Sequence, residues 1–437
     1  MTKSIRIILP EKYDLVVGDT FQLFYMGVIE APNPFCYDIL CECEKGRNCP
    51  RYFEFTPECE GEYKLCISVF DAEKNLLGKA ETILKAAMPE APLKPLNILC
   101  IGSSSSAGGE WINECFRRFS GIGGTPEGLG FSGINFIGTQ KRGNIACEGY
   151  GGWRWDSFYN TAVGGMWVVS SGNDKTPDDQ HSIWQDDNGN LWQLETLGGD
   201  WLKFNRYLQH TGKRPESGKL IPYNNAVNTS PIIIDKTSDE AKSPFFDDES
   251  GEIDFKKYCK KNGFDGIDIC YIMLGGNGLQ AALKNGVIEA KEHCQNNIER
   301  AKKLIGLIKK SYPNAKINLM GLIPPSAVGG MGASYGAIMP YCDYYGYLRY
   351  ILETNRTLEA LTKEEGYCEF MDFVNISGQF DAVNNMPVAE KCVNVRNSKT
   401  ELIGTNGLHP LFEGYMQVAD AAFRNLVHLV KKINKEV

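Results

Sequence analysis

Two patterns of apolar and polar positions divide the 437-residue chain. From residue 1 to about 85, short runs rich in β-formers recur: Ser4–Pro10, Thr20–Tyr25, Tyr37–Cys43, Arg51–Phe55, Tyr63–Phe70 and Lys79–Leu84. Turn residues separate them, among them Gly18-Asp19, Pro32-Asn33-Pro34 and Glu60-Gly61. Short strands at this spacing predict an all-β, immunoglobulin-like sandwich at 1–85. Residues 86–95 (AAMPEAPLKP) hold three prolines. Proline fixes φ, so this stretch predicts a stiffened linker.

From residue 96 the pattern changes. Asn97–Ile101 is a continuous apolar run ending at a glycine, the pattern of a strand buried on both faces. Further runs occur at Ile134–Ile137, Ile267–Leu274, Ile317–Leu322 and Cys368–Phe373. Helical periods lie between and after them, at Glu110–Phe119, Ile288–Tyr312, Tyr347–Glu365 and Met416–Lys432. Strands alternating with helices predict an α/β domain with a mostly parallel sheet over 96–437. One stretch, about 153–250, breaks the alternation. It is rich in turn residues and holds six of the seven tryptophans, and it reads as an insertion with some β structure, for instance at 190–195.

Composition narrows the function classes. Hydrophobic residues make up 43% and charged residues 23%, as in ordinary globular chains. The net charge of -8 offers no cationic surface for a phosphate backbone, so nucleic acid is not an expected partner. No apolar run reaches the roughly 20 residues of a membrane span. The first residues, MTKSIRIILPEKYDLVV, lack the apolar core of a signal peptide. With fifteen cysteines, this predicts reduced thiols in the cytoplasm, or an exported protein if a signal was removed. The six cysteines from Cys36 to Cys66 show no zinc-ligand spacing and read as small buried hydrophobes. No metal or cofactor is expected.

Candidate chemistry gathers at the ends of predicted strands. Gly102-Ser103-Ser104-Ser105-Ser106 follows the first α/β strand, where open sheets place their sites. These serines suit either a turn with an N-cap or an exposed nucleophile. His409, one of five histidines, sits in Asn406-Gly407-Leu408-His409-Pro410 just before the last helix, as a loop residue or a general base. Gly275-Gly276-Asn277-Gly278 ends the strand around Ile267–Leu274, and Glu148-Gly149-Tyr150-Gly151-Gly152-Trp153 follows Ile134–Ile137. Acyl transfer needs a nucleophile, a base and donors for a developing oxyanion. Ser104, His409 and the set Gly152 N–H, Asn277 amide and Ser104 N–H supply them.

In this order, these four blocks resemble the SGNH/GDSL hydrolase superfamily, with Ser104, Gly152, Asn277 and His409 at its four marked positions. The resemblance covers the α/β part and not residues 1–85. It implies a flavodoxin-like three-layer fold and a serine esterase or acylhydrolase cleaving a short acyl ester from a small molecule or carbohydrate. The sequence departs from the family pattern in three places. Ser103 replaces the aspartate of GDS, Gly278 follows Asn277 where aspartate is common, and Asn406 stands where the family carries the triad aspartate. An amide accepts a hydrogen bond from imidazole but brings no charge to stabilise imidazolium. Asn406 therefore joins the expected site, which works either as a Ser–His dyad or with another acid that approaches from elsewhere in the chain. A non-catalytic carbohydrate-binding protein on the same scaffold is the alternative. Trp153 and Trp155 suit either the core or a platform for a sugar ring. Because no block precedes residue 102, residues 96–437 are expected to fold and act alone.

Overall fold

A computed structural model describes residues 4–159, 243–278, 290–329 and 344–436, and the backbone of short strands between them. Seven strands form the N-terminal part: β1 (Lys12–Val16), β2 (Phe21–Phe24), β3 (Asp38–Glu42), β4 (Arg47–Asn48), β5 (Tyr52–Phe55), β6 (Gly61–Phe70) and β7 (Leu76–Ala87). They make a four-stranded sheet in the order β1-β7-β6-β3 and a three-stranded sheet β2-β5-β4. Alternate residues of both sheets point into one core, which includes Leu15, Phe21, Phe53, Leu65, Ile67 and Leu84.

The first strand is not where the apolar run at 4–10 suggested. That run makes only an isolated bridge, Ile7 to Ile29, and β1 begins two residues beyond Pro10. Proline has no N–H for a ladder, whereas KYDLV alternates half-buried and buried side chains. The cysteines also divide. Cys41 and Cys66 are buried, but Cys36 and Cys59 are exposed, so only part of the group fills core space.

Strand β8 (Leu96–Gly102) is the axis of the second part. On one side it pairs in parallel with β9 (Ile134–Ile137) and then with the end of β11 (Ile145–Gly149), whose outer neighbour is β10 (Gln140–Arg142). On the other side follow β12 (Ile269–Met273), β13 (Lys316–Met320) and β14 (Met371–Val374), all parallel. Counting the β9/β11 edge as the second strand gives the order 2-1-3-4-5, that of flavodoxin-like open sheets.

Each face of β8 meets helices. Leu96, Ile98 and Cys100 pack with Trp111 and Phe119 of α2 (Glu110–Ser120) and with Phe423 of α6 (Phe412–Glu436). Leu99 and Ile101 pack with Phe255 of α3 (Phe255–Asn262), Leu304 of α4 (Ala290–Ser311) and Leu358 of α5 (Tyr344–Thr362). A run buried on both faces is what a central parallel strand requires. The ends of α3 show why it forms there. The Asp254 side chain accepts from the N–H groups of Lys256 (2.8 Å) and Lys257 (3.0 Å), and Gly263, at φ +73°, stops the helix.

Most of the expected insertion at 153–250 lies outside the described residues, as does Trp201. Trp167–Ser171, Ile183–Gln185, Leu191–Leu194, Leu220–Pro222 and Ile232–Ile234 pair into one antiparallel sheet.

The two parts are joined by buried polar groups. The Asp19 carboxylate bridges Arg118 of α2 (2.7 Å) and Arg424 of α6 (2.6 Å), and Arg118 also meets Asp420 (2.6 Å). Lys12 Nζ lies 2.8 Å from both Asp14 and Asp372. The backbones approach so closely that a Cβ on Gly27 would fall 1.7 Å from the Ser377 carbonyl oxygen. These contacts run against the expectation that 96–437 stands alone. Removing residues 1–95 takes Asp19 from two buried guanidinium groups and uncovers apolar surface. We expect the truncated chain to be insoluble or to unfold at lower temperature than the full chain, as measured by soluble yield and circular dichroism.

Candidate active site

The chain folds tightly after β8. Ser104 opens α1 (Ser104–Ala107), a single turn begun by the Ser106 and Ala107 N–H groups on the Ser103 carbonyl at 2.9 and 3.0 Å. Ser103 makes no side-chain cap, so the serine run is not explained by capping. Ser106 is structural: buried, it accepts from Trp111 Nε1 at 3.1 Å. Gly102 is needed beneath it, since a Cβ there would fall 2.3 Å from Ser106 Oγ. Ser104 is half-buried at the carboxyl end of the central strand.

From the far end of the chain, His409 reaches the same point. Its Nε2 lies 2.9 Å from Ser104 Oγ across 305 residues of sequence. With a neutral imidazole, the hydroxyl donates and Nε2 accepts, which is the geometry of a nucleophile and its base. The His409 loop is shaped by Asn406, whose Oδ1 accepts from the N–H groups of Leu408 (2.9 Å) and His409 (3.0 Å). Both lone pairs of that oxygen are thus used on backbone. These bonds also fix which way the amide faces, so the remaining Asn406 atom is a nitrogen that can only donate.

Ser104, Asn277 and His409 line one cavity of about 60 Å³. Its apolar wall comes from Met273, Leu322, Ile323, Tyr347 and Ile351. Asn277 Nδ2 donates to the Trp153 carbonyl at 2.9 Å. An amide nitrogen carries two hydrogens, so one remains for a substrate oxygen. Gly152, at φ +78°, occupies a turn closed by the Trp153 N–H on the Tyr150 carbonyl at 3.2 Å, and does not line the cavity. Glu148 anchors this turn. Its buried carboxylate accepts from Thr139 N (2.6 Å), Thr139 Oγ1 (3.1 Å), Tyr150 (2.6 Å) and Tyr258 (2.5 Å). Burial still pushes its pKa up, against the pull of those donors.

Trp153 and Trp155 do not form a platform. They are 3% and 0% exposed and lie in the same core as Leu99 and Leu304. Tyr150 stacks on Trp153 at 4.2 Å, and Phe158 meets Trp153 edge-on at 4.9 Å. A ring enclosed on its faces has none left for a sugar. The two tryptophans therefore shape the floor under the Gly152 turn instead.

Several neighbours of the site went unmarked in the sequence. Arg154 and Asp156 pair at 3.1 Å, with His293 and Arg300 of α4 facing them. His293 is held neutral, its pKa lowered to about 4 by burial and then by Arg300 and Arg154. Arg154 Nε, Trp155 Nε1, Asp156 Oδ1 and His293 Nε2 are buried and make no hydrogen bond. Their only sequence signal was the charged pair flanking Trp155. Among the described residues, no group of three His, Cys, Asp or Glu could hold a metal ion, and no helix is long and apolar enough to cross a membrane.

No family model and no curated sequence matches the chain. Solved structures similar to it include a family 3 carbohydrate esterase from Clostridium thermocellum, at 13% identity and TM-score 0.37, covering 78% of this chain and 100% of that one. A carbohydrate acetylesterase from Sinorhizobium meliloti shares 12% identity at TM-score 0.32, over 76% and 99% of the two chains. A family 2 carbohydrate esterase with a carbohydrate-binding domain from Corynascus thermopiles (Myceliophthora fergusii) covers 98% and 100% at 10% identity and TM-score 0.29. At such scores the functional reading rests on the geometry of Ser104 and His409.

Proposed function

We propose that the chain is a serine esterase of the SGNH/GDSL type. The observation that carries this reading is the 2.9 Å approach of His409 Nε2 to Ser104 Oγ at the carboxyl end of the sheet. In the proposed reaction, Ser104 Oγ attacks the ester carbonyl carbon while His409 takes the hydroxyl proton. The carbonyl oxygen becomes an oxyanion, received by the Asn277 amide and the Ser104 N–H, the two donors whose residues line the cavity. His409 then gives its proton to the departing alcohol, and water, deprotonated by His409, releases the acid from Ser104.

A short acyl group fits the cavity. An apolar cavity of about 150 Å³ takes the six carbons of benzene, and 60 Å³ scales to two or three heavy atoms. A carbohydrate as the alcohol is supported by the resemblance of the four blocks alone, since Trp153 and Trp155 are enclosed. The test is turnover of p-nitrophenyl acetate with covalent labelling of Ser104 by a fluorophosphonate. Asn406 is the observation that favours the alternative of a non-catalytic carbohydrate-binding protein. Sugar binding without turnover or labelling would establish that alternative.

The Asn406 geometry gives a second expectation. Asn406→Asp keeps an oxygen on the Leu408 and His409 N–H groups and replaces the donor nitrogen by an anionic acceptor. Exchanging a triad Asp for Asn costs about 10⁴ in kcat in serine proteases. Part of that is expected back here, roughly a tenfold rise in kcat near neutral pH. An unchanged or lower kcat, with deamidation of the parent excluded by mass spectrometry, would show that the aspartate position does not limit this site.

A further inference from the structure

We infer that Tyr350, seconded by Asn297, is a positioning residue for the Asn277 oxyanion donor. It acts through the carbonyl of Gly275, and the inference rests on the esterase reading above.

The loop from Gly275 to Gly278 carries Asn277 to the mouth of the cavity, and its backbone is unusual at both ends. Gly275 sits at φ +118° and Gly278 at φ +92°, conformations that residues with a Cβ rarely adopt. A chain so turned needs something outside itself to hold it. Tyr350 OH donates to the Gly275 carbonyl, and Asn297 Nδ2 donates to the same oxygen at 3.5 Å. Both donors are buried, Tyr350 at 0% and Asn297 at 2% exposure. They come from different helices, Tyr350 from α5 and Asn297 from α4; the Tyr350 bond is the main hold on the carbonyl, and the 3.5 Å contact from Asn297 is a long, weaker one.

Gly275 also lies close to its neighbours on the other side. A Cβ there would meet Thr354 Cγ2 at 3.3 Å and Trp155 Nε1 at 3.6 Å, so the glycine rests against α5 and the Trp155 ring. Among the described residues, the Asn277 side chain has one hydrogen-bond partner, the Trp153 carbonyl. The peptide two residues upstream therefore sets where the second amide hydrogen lies. Tyr350 also faces Tyr347, at 5.9 Å between rings, and Tyr347 lines the cavity. One turn of α5 thus shapes the apolar wall and holds the donor loop. A donor aimed at a developing oxyanion contributes in proportion to how well it is preorganised, so a loosened loop costs turnover more than binding.

The test is Tyr350→Phe in the full chain, which removes the hydroxyl and keeps the ring. With p-nitrophenyl acetate, kcat is expected to fall about tenfold with KM within twofold of the parent. The rate of Ser104 labelling by a fluorophosphonate is expected to fall in parallel, because that reaction needs the same donors. The acid limb of the pH profile should stay in place, since His409 is untouched. A folded Tyr350→Phe with kcat within twofold of the parent, or a loss expressed wholly in KM, overturns the inference. Should Tyr350→Phe fail to fold, Asn297→Ser removes the second donor to the same carbonyl and is read on the same axes with the same meaning. Ser104→Ala separates the two levels. If it abolishes turnover while Tyr350→Phe does not lower kcat, only the positioning role is lost. If it keeps turnover, the esterase reading and this inference fall together.

Discussion

Ser104→Ala is expected to abolish ester hydrolysis and fluorophosphonate labelling while leaving the fold unchanged. The hydroxyl lies 2.9 Å from His409 Nε2, and no other serine of the run has that relation. Ser106 is buried beneath Trp111, and Ser103 stands at the start of α1 with its carbonyl on the first turn. Members of a catalytic unit are not additive. Removing the nucleophile of a serine protease alone costs about 2 × 10⁶ in kcat, nearly as much as removing the whole triad. A fall of at least about 10³ is expected here, set below the protease figure because Asn406 rather than aspartate stands three residues before His409. Stability should change little. Ser104 is half-buried at the first position of a one-turn helix, and its side chain is not needed to cap it. The measurements are kcat/KM on p-nitrophenyl acetate and the thermal transition by circular dichroism. Parental turnover in a folded Ser104→Ala would remove Ser104 as nucleophile.

The parts of this site that were legible in the sequence are those fixed by chain-local geometry. A buried parallel strand must end in a turn, and residues such as Ser104 and Asn277 at strand ends are carried to one edge of the sheet whatever the loops do. The helices were equally local: the period over 288–312 became Ala290–Ser311, and that over 416–432 became the core of Phe412–Glu436. What was not legible depends on how elements dock. Whether a tryptophan packs inward or stacks on a ligand is decided by what covers its faces, and for Trp153 those are Tyr150 and Phe158. Tyr350, Asn297 and His293 lie within ordinary helical periods, and nothing in spacing says which of their neighbours is a loop carbonyl. Asn406 stands three residues before His409, a spacing that leaves its bonding open. Its oxygen serves two backbone N–H groups, a use that an Asx turn offers as readily as a triad does. The sheet-rich N-terminal part looked separable because its attachment rests on single residues far apart in sequence.

Asp19 is the sharpest case of such attachment, and Asp19→Ala is expected to destabilise the whole chain by about 3–5 kcal/mol near neutral pH. Its carboxylate lies between two guanidinium groups, Arg118 with 3% and Arg424 with 6% of the side chain exposed. The alternative of burying apolar groups throughout would be neutral or better, but removing one partner leaves cations without their anion, and breaking a buried pair costs about 3–5 kcal/mol. Arg118 keeps Asp420 and the ring of Phe423 at 4.0 Å, whereas Arg424 keeps hydrogen bonds to the Gln379 side chain and the Thr20 carbonyl and a longer-range attraction to Asp420. The pH dependence has a definite sign. Burial raises the Asp19 pKa, but Arg424 and Arg118 more than offset it, and the net shift is downward. A carboxyl whose folded pKa is depressed adds stability above its unfolded value, near 3.9, and loses it as pH falls through the folded one. The gap between parent and Asp19→Ala should therefore be full at neutral pH and narrow below about pH 4. Asp420, pushed upward by burial and also by Asp19, runs the other way; it loses that repulsion in Asp19→Ala, so the measured gap is the net of both carboxyls. Urea midpoints of the two proteins at pH 7 and pH 3.5 make the test. A loss of under about 1 kcal/mol at pH 7 would place this ion pair among those worth no more than a surface contact. A gap that widens toward low pH would mean that Asp19 is held protonated, with Arg118 and Arg424 balanced elsewhere.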